Sequence, residues 1–419
     1  MIEDAVTDAT TNAALVDPEA ADLRPSEAAR MPEAVLDEAM MAAMREKVGA
    51  DLRIGHSINN REVTALSVLK FAAGIGDTNP LWLDDDHACA SPYGAPVAPP
   101  SWVICCFAGL QFGWPGLGSF HSNSDVRFHR PIMVGDVLTP SCRYEGFSGP
   151  RASKFAKRTV TDHFHNRYVN QRGELVAEIR WDVINFERQT ARATRSSGSG
   201  DDLEVPHPWS PEEVAEIEAQ VLAEEPRGAE TRWWDDVAVG QRLDELVKGP
   251  IGMTDEVAFV SAGGAPIPRL AAHRAALRQY DAHPAWAFRD PTTSALEPIY
   301  AVHYNLHAAR AMGVAMQYDV GFQRQCWQVH LLTDWIGDDG WVKRAAAQYR
   351  SFVYHSDVVR LGGEVTAKSV DDDGEAVVDV RTHAINQRGQ DVMPGTATLA
   401  LPKRDGTTPP VDRRTTAGT

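Results

Sequence analysis

Asn170-Gln171-Arg172-Gly173 and Asn386-Gln387-Arg388-Gly389 are the same four residues at two places in one chain. Each follows a β-type stretch, Arg167-Tyr168-Val169 in one case and His383-Ala384-Ile385 in the other, and each precedes another strand-like run. Polar residues ending in glycine between two such runs read as a hairpin turn. Upstream, Phe128 to Leu138 aligns with Tyr349 to Val359 at an offset of 221 residues, and the same offset carries Ala88 to Ala309. The turns themselves repeat at an offset of 216, so a small deletion separates the two registers. This is the pattern of a duplicated domain, not of a short-period solenoid.

The length agrees. At 419 residues the chain is too long for one core, and two domains are the natural expectation. The expected division is a mobile N-terminal tail (1–35), a first unit (36–190), a linker with a bridging helix (191–228), a second unit (229–405) and a C-terminal tail (406–419). The Ser/Gly run Ser196 to Asp202 cannot bury a core and reads as linker. The acidic run from Pro211 to Glu225 reads as a helix, with Ser210 as N-cap and proline at its first position. Each unit carries one apolar helix followed by strands. Phe322, Cys326, Val329, Thr333 and Ile336 recur at helical spacing in the second unit, as do Val103, Phe107 and Leu110 in the first. Two such units are expected to join sheet to sheet, which removes two free edges.

Charge and cysteine content narrow the function. A net charge of −17 disfavours nucleic acid and anionic membrane as partners. No apolar run is long enough to span a bilayer, and the first thirty or so residues lack the basic start and apolar core of a signal peptide. The five cysteines are odd in number and none has CxxC spacing. That argues against a disulfide framework or thiolate metal site and suits a reducing, cytoplasmic setting.

Gly76-Asp77-Thr78-Asn79-Pro80-Leu81-Trp82-Leu83-Asp84, with Ala88 four residues on, resembles the hydratase motif of the MaoC-like (R)-specific enoyl-CoA hydratases. That motif runs G-D-x-N-P, an aliphatic residue, then H-x-D. The resemblance implies an α+β tandem (double) hot-dog, two antiparallel sheets each wrapped around a central helix. It implies reversible addition of water to a 2-enoyl thioester, in fatty acid or steroid side-chain metabolism. An Asp and a His work on the water and substrate carbon, and a backbone N–H at the start of the central helix holds the thioester oxygen. The substrate itself is the acyl-CoA or acyl-carrier thioester, so no separate cofactor and no metal is expected. A homodimer is compatible with the family.

The first half departs from the motif. Trp82 stands at the histidine position and cannot relay a proton, and Pro100 falls near the helix-start glycine and has no N–H to offer. Asp77 remains, either as a catalytic group or as a loop cap. The second half shows the converse at the 221-residue offset: His303 and Gly321 are present, but Pro298 stands where the motif carboxylate should be. His303 would then need a carboxylate from elsewhere. Asp319, just before the helix, is the first candidate, Glu297 the second, and Asp77 of the other half the third. Tyr304, Asn305, Tyr318 and Arg324, with Asn79 and Trp82 of the first half, are expected to contact substrate.

Other readings are weaker. His303 and His307 have i, i+4 spacing, but no third metal ligand is evident. His163 and His165 share one face of a strand, which points to solvent exposure. Trp327, Trp335 and Trp341 pack either the second unit or an acyl tunnel. Gly264 to Leu296, with His273, Arg274, Arg278 and Tyr280, is an insertion without counterpart in the first half, suited to a lid or substrate wall. The alternatives to a lyase are a hot-dog thioesterase and a non-catalytic acyl-thioester-binding or subunit-interaction protein.

Overall fold

A computed structural model describes residues 33–55, 57–109, 113–153, 156–189, 203–264, 273–407 and 409. Most of the two expected tails, the Ser/Gly run at 196–202, Leu110 and part of the insertion lie outside these residues.

One nine-stranded antiparallel sheet runs through both halves. The first half supplies β1 (Gly118–Phe128), β2 (Thr139–Arg151), β3 (Thr159–Val169) and β4 (Leu175–Phe186). The second supplies β5 (Leu246–Lys248), β6 (Trp341–Gln348), β7 (Val359–Val370), β8 (Ala376–Asn386) and β9 (Gly395–Ala400). The spatial order is β2-β3-β4-β1-β6-β9-β8-β7-β5. The halves meet at β1 and β6, where Ala345 lies opposite Val126 and Ala347 opposite Ser124. Arg344 reinforces the seam with two bonds to Asp125, at 2.8 and 2.7 Å. Each half-sheet would otherwise end there in unpaired backbone groups.

The strands obey a period of two where one face is wet. In β2, Pro140, Cys142 and Tyr144 are buried while Thr139, Ser141 and Arg143 are exposed. The repeated turns fold alike. Asn170 Oδ1 accepts from the amides of Arg172 and Glu174, and Asn386 Oδ1 from those of Arg388 and Gln390. Gly173 and Gly389 take φ of 78° and 72°, a conformation that favours glycine. Gln171 then reaches Asp136 at 2.9 Å and Gln387 reaches Asp357 at 2.7 Å, so the two aspartates at the 221-residue offset anchor equivalent turns.

The helices diverge between halves. In the second, α5 (Gly321–Ile336) runs 16 residues beneath the sheet and is buried on nearly every side. In the first, a 3₁₀ turn at Pro100–Trp102 passes into α2 (Val103–Cys106), and Phe107 is already extended. The expected helix through Phe107 is therefore cut short. The physical reason lies in the sheet: the Tyr168 hydroxyl donates to the Phe107 carbonyl, and Asn166 Nδ2 lies 3.5 Å from that of Ala108. Carbonyls that another helical turn would have satisfied are met by side chains instead.

Two further contacts tie the halves. α1 (Ala65–Ile75) packs on α4 (Met253–Ser261), closely enough that a Cβ on Gly74 would lie 3.0 Å from the Ala258 carbonyl oxygen. The bridging helix α3 (Pro211–Leu222) has the expected Ser210 cap, completed by Glu213, and lays Ile217 on Val247 and Val358.

Both turn anchors are buried, but their arginine partners differ in exposure, and this sets a test: Arg388 beside Asp357 is 19% exposed, whereas Arg172 beside Asp136 is 41% exposed. Asp357→Ala should destabilise the protein by about 3–5 kcal/mol, the range for removing one partner of a buried ion pair. Asp136→Ala should cost clearly less, because water screens its partner. Urea unfolding followed by circular dichroism measures both.

Candidate functional site

Two places correspond to the two copies of the motif, and they have opposite fates. In the first half, Asn79 Oδ1 accepts from the Leu81 amide and caps the short helix Pro80–Leu83. Asp77 is buried and accepts from the Asn79 amide at 3.0 Å. The space beside Trp82 and Pro100 has a volume of about 20 Å³, room for little more than a water molecule.

Asp77 faces a residue that no motif singles out. His330, on α5, lies with Nε2 3.5 Å from Asp77, 3.1 Å from Glu224 and 3.1 Å from Asp334. Lys248 donates to the Gly76 carbonyl at 2.7 Å and lies 3.5 Å from Glu224. Burial alone would lower the His330 pKa, but the carboxylates around it, Asp77 foremost, raise it to about 9. Asp77 is raised by burial and by Asp334, with His330 opposing. The first motif has thus become a buried ionic knot joining the first half, the bridging segment and the second half. Asp77 belongs to this knot, so it does not serve His303 as the third candidate carboxylate.

In the second half, a 3₁₀ turn at Ile299–His303 brings His303 to a cavity of about 1080 Å³. Tyr318, Asp319, Gly321 and Arg324 line the same cavity. The cavity continues into the first half along Ala108, Gly109, Trp114 and Trp181, where α2 stops short. Ala285 and Trp286, within the insertion, form part of its wall. Its aromatic lining is self-supporting: Phe352 meets Phe120 at 5.1 Å and Tyr318 at 4.7 Å between ring centroids.

His303 Nδ1 lies 2.8 Å from the Tyr318 carbonyl oxygen. A carbonyl only accepts, so Nδ1 carries the hydrogen and Nε2 keeps its lone pair. Burial lowers the ring's pKa to about 4, so it is neutral near pH 7. The partner of Nδ1 is therefore a backbone carbonyl and none of the three expected carboxylates. Asp319 is buried and sits 2.5 Å from Arg324 Nε; burial raises its pKa and Arg324 opposes the rise. Glu297 lies in the short strand Leu296–Pro298, opposite Phe288, outside the cavity lining. Gly321 opens α5 with no side-chain cap; the Gln323 amide already donates to the Val320 carbonyl, so the amides of Gly321 and Phe322 are the ones left for a ligand. A Cβ at Gly321 would lie 2.9 Å from Nδ1 of His121, which is why glycine stands there.

The remaining expected contacts divide. Tyr318 and Arg324 line the cavity, and Arg324 also donates to the carbonyls of Ser351 and Val392. Tyr304 and Asn305 do not. Asn305 caps the helix Leu306–Ala311 through the amides of His307 and Ala308 and donates to Asp290 at 2.7 Å. Asp84, its counterpart in the repeat, caps Asp85–Ala90 in the same way, so the final motif position is a helix cap in both halves. Trp327 and Trp335 are buried in the core and Trp341 donates to the Phe128 carbonyl; none of the three lines the large cavity. His307 pairs with Thr292, not with His303 in a metal site. His163 and His165 sit beside Asp182 and Glu178. Besides His330, sequence reasoning missed His121 and Glu256, a fully buried glutamate with neither oxygen hydrogen-bonded. None lies in a recognisable motif; only an inward position in its element marks each one.

Comparison with known proteins agrees with this architecture. Residues 52–179 match the family model described as "FAS1-like, dehydratase domain region". The (R)-specific enoyl-CoA hydratase of Aeromonas caviae is 32% identical over 100 residues, covering 24% of this chain and 71% of that protein. A Thermomonospora curvata protein named "Probable enoyl-CoA hydratase alpha subunit" is 27% identical over 141 residues; the match takes in 29% of this chain and only 44% of that protein. A solved MaoC-like dehydratase superposes with a TM-score of 0.59 at 17% identity, over 86% of this chain and 100% of its own. The chain belongs to the MaoC-like hot-dog dehydratase family. Its fold is the double hot-dog. Among the described residues no helix is long and apolar enough to cross a membrane.

The ionic knot predicts a pH dependence of stability. His330 has a higher pKa folded, about 9, than unfolded, about 6.5. Its contribution is complete below about pH 6.5 and is lost as pH rises through about 9. Urea midpoints should therefore fall between pH 6.5 and 9.5 in the native protein. His330→Gln should be less stable at pH 6 and lose that slope.

Proposed function

We propose that the protein is an acyl-thioester hydratase/dehydratase, interconverting a 2-enoyl-CoA and a (3R)-hydroxyacyl-CoA at the second-half site. The observation that supports this is the presence of His303 and the uncapped start of α5 on one large cavity, while the first-half motif is closed. The thioester oxygen would sit at the Gly321 amide, where the N–H and the positive end of the helix stabilise the charge that develops on it. As water attacks C3, His303 Nε2 takes one of its protons, and the C2–C3 π pair moves onto the thioester as an enolate. The same proton then passes from Nε2 to C2. Dehydration is the reverse. Asp319 serves this scheme indirectly, by holding Arg324 against the helix start.

The aromatic extension of the cavity into the first half would receive the acyl group. A volume of about 1080 Å³ is ample for a long or bulky one. The relatives' names support the reaction class, since they include an enoyl-CoA hydratase and a 3-hydroxybutyryl-CoA dehydratase.

Incubation with crotonyl-CoA tests the reading. Loss of enoyl absorbance supports it; release of free thiol would indicate a thioesterase, and neither signal an acyl-binding protein. His303→Ala should lower turnover ~10²–10⁴-fold with the fold intact, the range for a general acid–base group. Trp82→Phe should leave most activity. In the native protein turnover should fall as pH drops through about 4, because His303 must be unprotonated to accept the proton. Circular dichroism at each pH separates this from unfolding.

A further inference from the structure

A second imidazole lines the same cavity from the other half. His121 stands on β1, the first-half strand that forms the seam, and lines the large cavity. Its Nε2 lies 3.0 Å from the Asn123 carbonyl oxygen, so Nε2 carries the hydrogen and Nδ1 keeps a lone pair. The arrangement mirrors His303, with the roles of the two nitrogens exchanged. The ring is held between Tyr349 and Phe322, with centroid distances of 4.3 and 4.4 Å. Nδ1 is directed at the start of α5, since that is the atom a Cβ on Gly321 would meet.

The lone pair decides what His121 can bind. An unprotonated ring nitrogen cannot donate to a thioester oxygen held at the Gly321 amide, but it can accept from a donor bound next to that oxygen. In the reaction proposed above the donors are the attacking water and, in the product, the 3-hydroxyl group. The family's paired acid–base groups are incomplete here, because Pro298 occupies the carboxylate position. We infer that His121 replaces that carboxylate as the second acceptor on the reacting water, so that the active site is completed across the unit boundary by two neutral imidazoles.

The chemistry balances. One water hydrogen goes to His303 Nε2 and is later delivered to C2. The other stays on the oxygen, bonded to His121 Nδ1, and remains there as the hydroxyl hydrogen of the product. With both hydrogens engaged, an oxygen lone pair faces C3. Burial and the nearby Arg324 both oppose protonation of the two rings, which keeps them acceptors.

This inference rests on the hydratase reading, and the test separates the two. His121→Phe keeps the ring's shape and packing but removes the acceptor. His121→Asn can return one, because an Asn side-chain oxygen reaches the position of a histidine Nδ1. With crotonyl-CoA, His121→Phe should lower kcat on the order of 10²-fold with little change in KM, and His121→Asn should recover part of the loss. Calorimetry supplies a readout free of turnover: the native protein should bind 3-hydroxybutyryl-CoA more tightly than butyryl-CoA, and His121→Phe should abolish that preference. A native enzyme that hydrates crotonyl-CoA while His121→Phe is unimpaired in kcat and retains the hydroxyl preference overturns the role of His121 alone. A native protein without hydration activity that still loses its hydroxyl preference in His121→Phe keeps the acceptor and overturns the reaction. Failure of the native protein to bind either ester overturns both.

Discussion

The constraint that governs this molecule is the burial of α5. A helix enclosed on nearly every side needs partners for most of the polar side chains it carries, and this one carries several. Gln325 bonds Ser124 of the first half, and Gln328 bonds the Ala346 carbonyl and Thr382 at 3.1 and 2.7 Å. Arg324 is met by Asp319 and by two backbone carbonyls. Near the far end of the helix, His330 is met by carboxylates from three segments. The helix therefore fits only when both halves are assembled around it. The β1–β6 seam provides that assembly.

Duplication left two potential sites, and the same packing assigned them different fates. The first-half aspartate was drawn into the charge balance of His330, and Trp82 fills the space beside it. That half also gave up most of its central helix, and the volume so released became part of the other half's cavity. The stop at Phe107 follows from donors on β3, Tyr168 and Asn166, that satisfy the carbonyls in place of a continued helix.

The charged groups divide along the same line. At the closed site the carboxylates outnumber the cations, so His330 is held protonated and acts as structural glue. At the open site the imidazoles of His303 and His121 are half-buried without a carboxylate partner, each fixed by a backbone carbonyl, and both remain neutral. Three histidines of one chain thus have pKa values of about 9, 4 and 3, set by what surrounds each ring.

Legible in the residue order are the duplication, the hairpin turns, the Ser210-capped bridging helix and the recurrence of His303 and Gly321 at one shared offset. All of these depend on local chemistry or on a residue match at fixed offset. The residue order also marked Trp82 and Pro100 as incompatible with their motif positions, because the defect is intrinsic to the residue type. The rest depends on how the chain packs. Asn305 looks like a substrate contact in the motif but spends both ends of its amide on a helix cap and Asp290. Asp319 looks like the partner of His303 but is taken by Arg324. His121 and His330 carry no motif at all, and their neighbours are 200 or more residues away in the chain for His121 against Gly321 and for His330 against Asp77. Such contacts arise from sheet register and helix burial, which bring together side chains that no spacing along the chain relates.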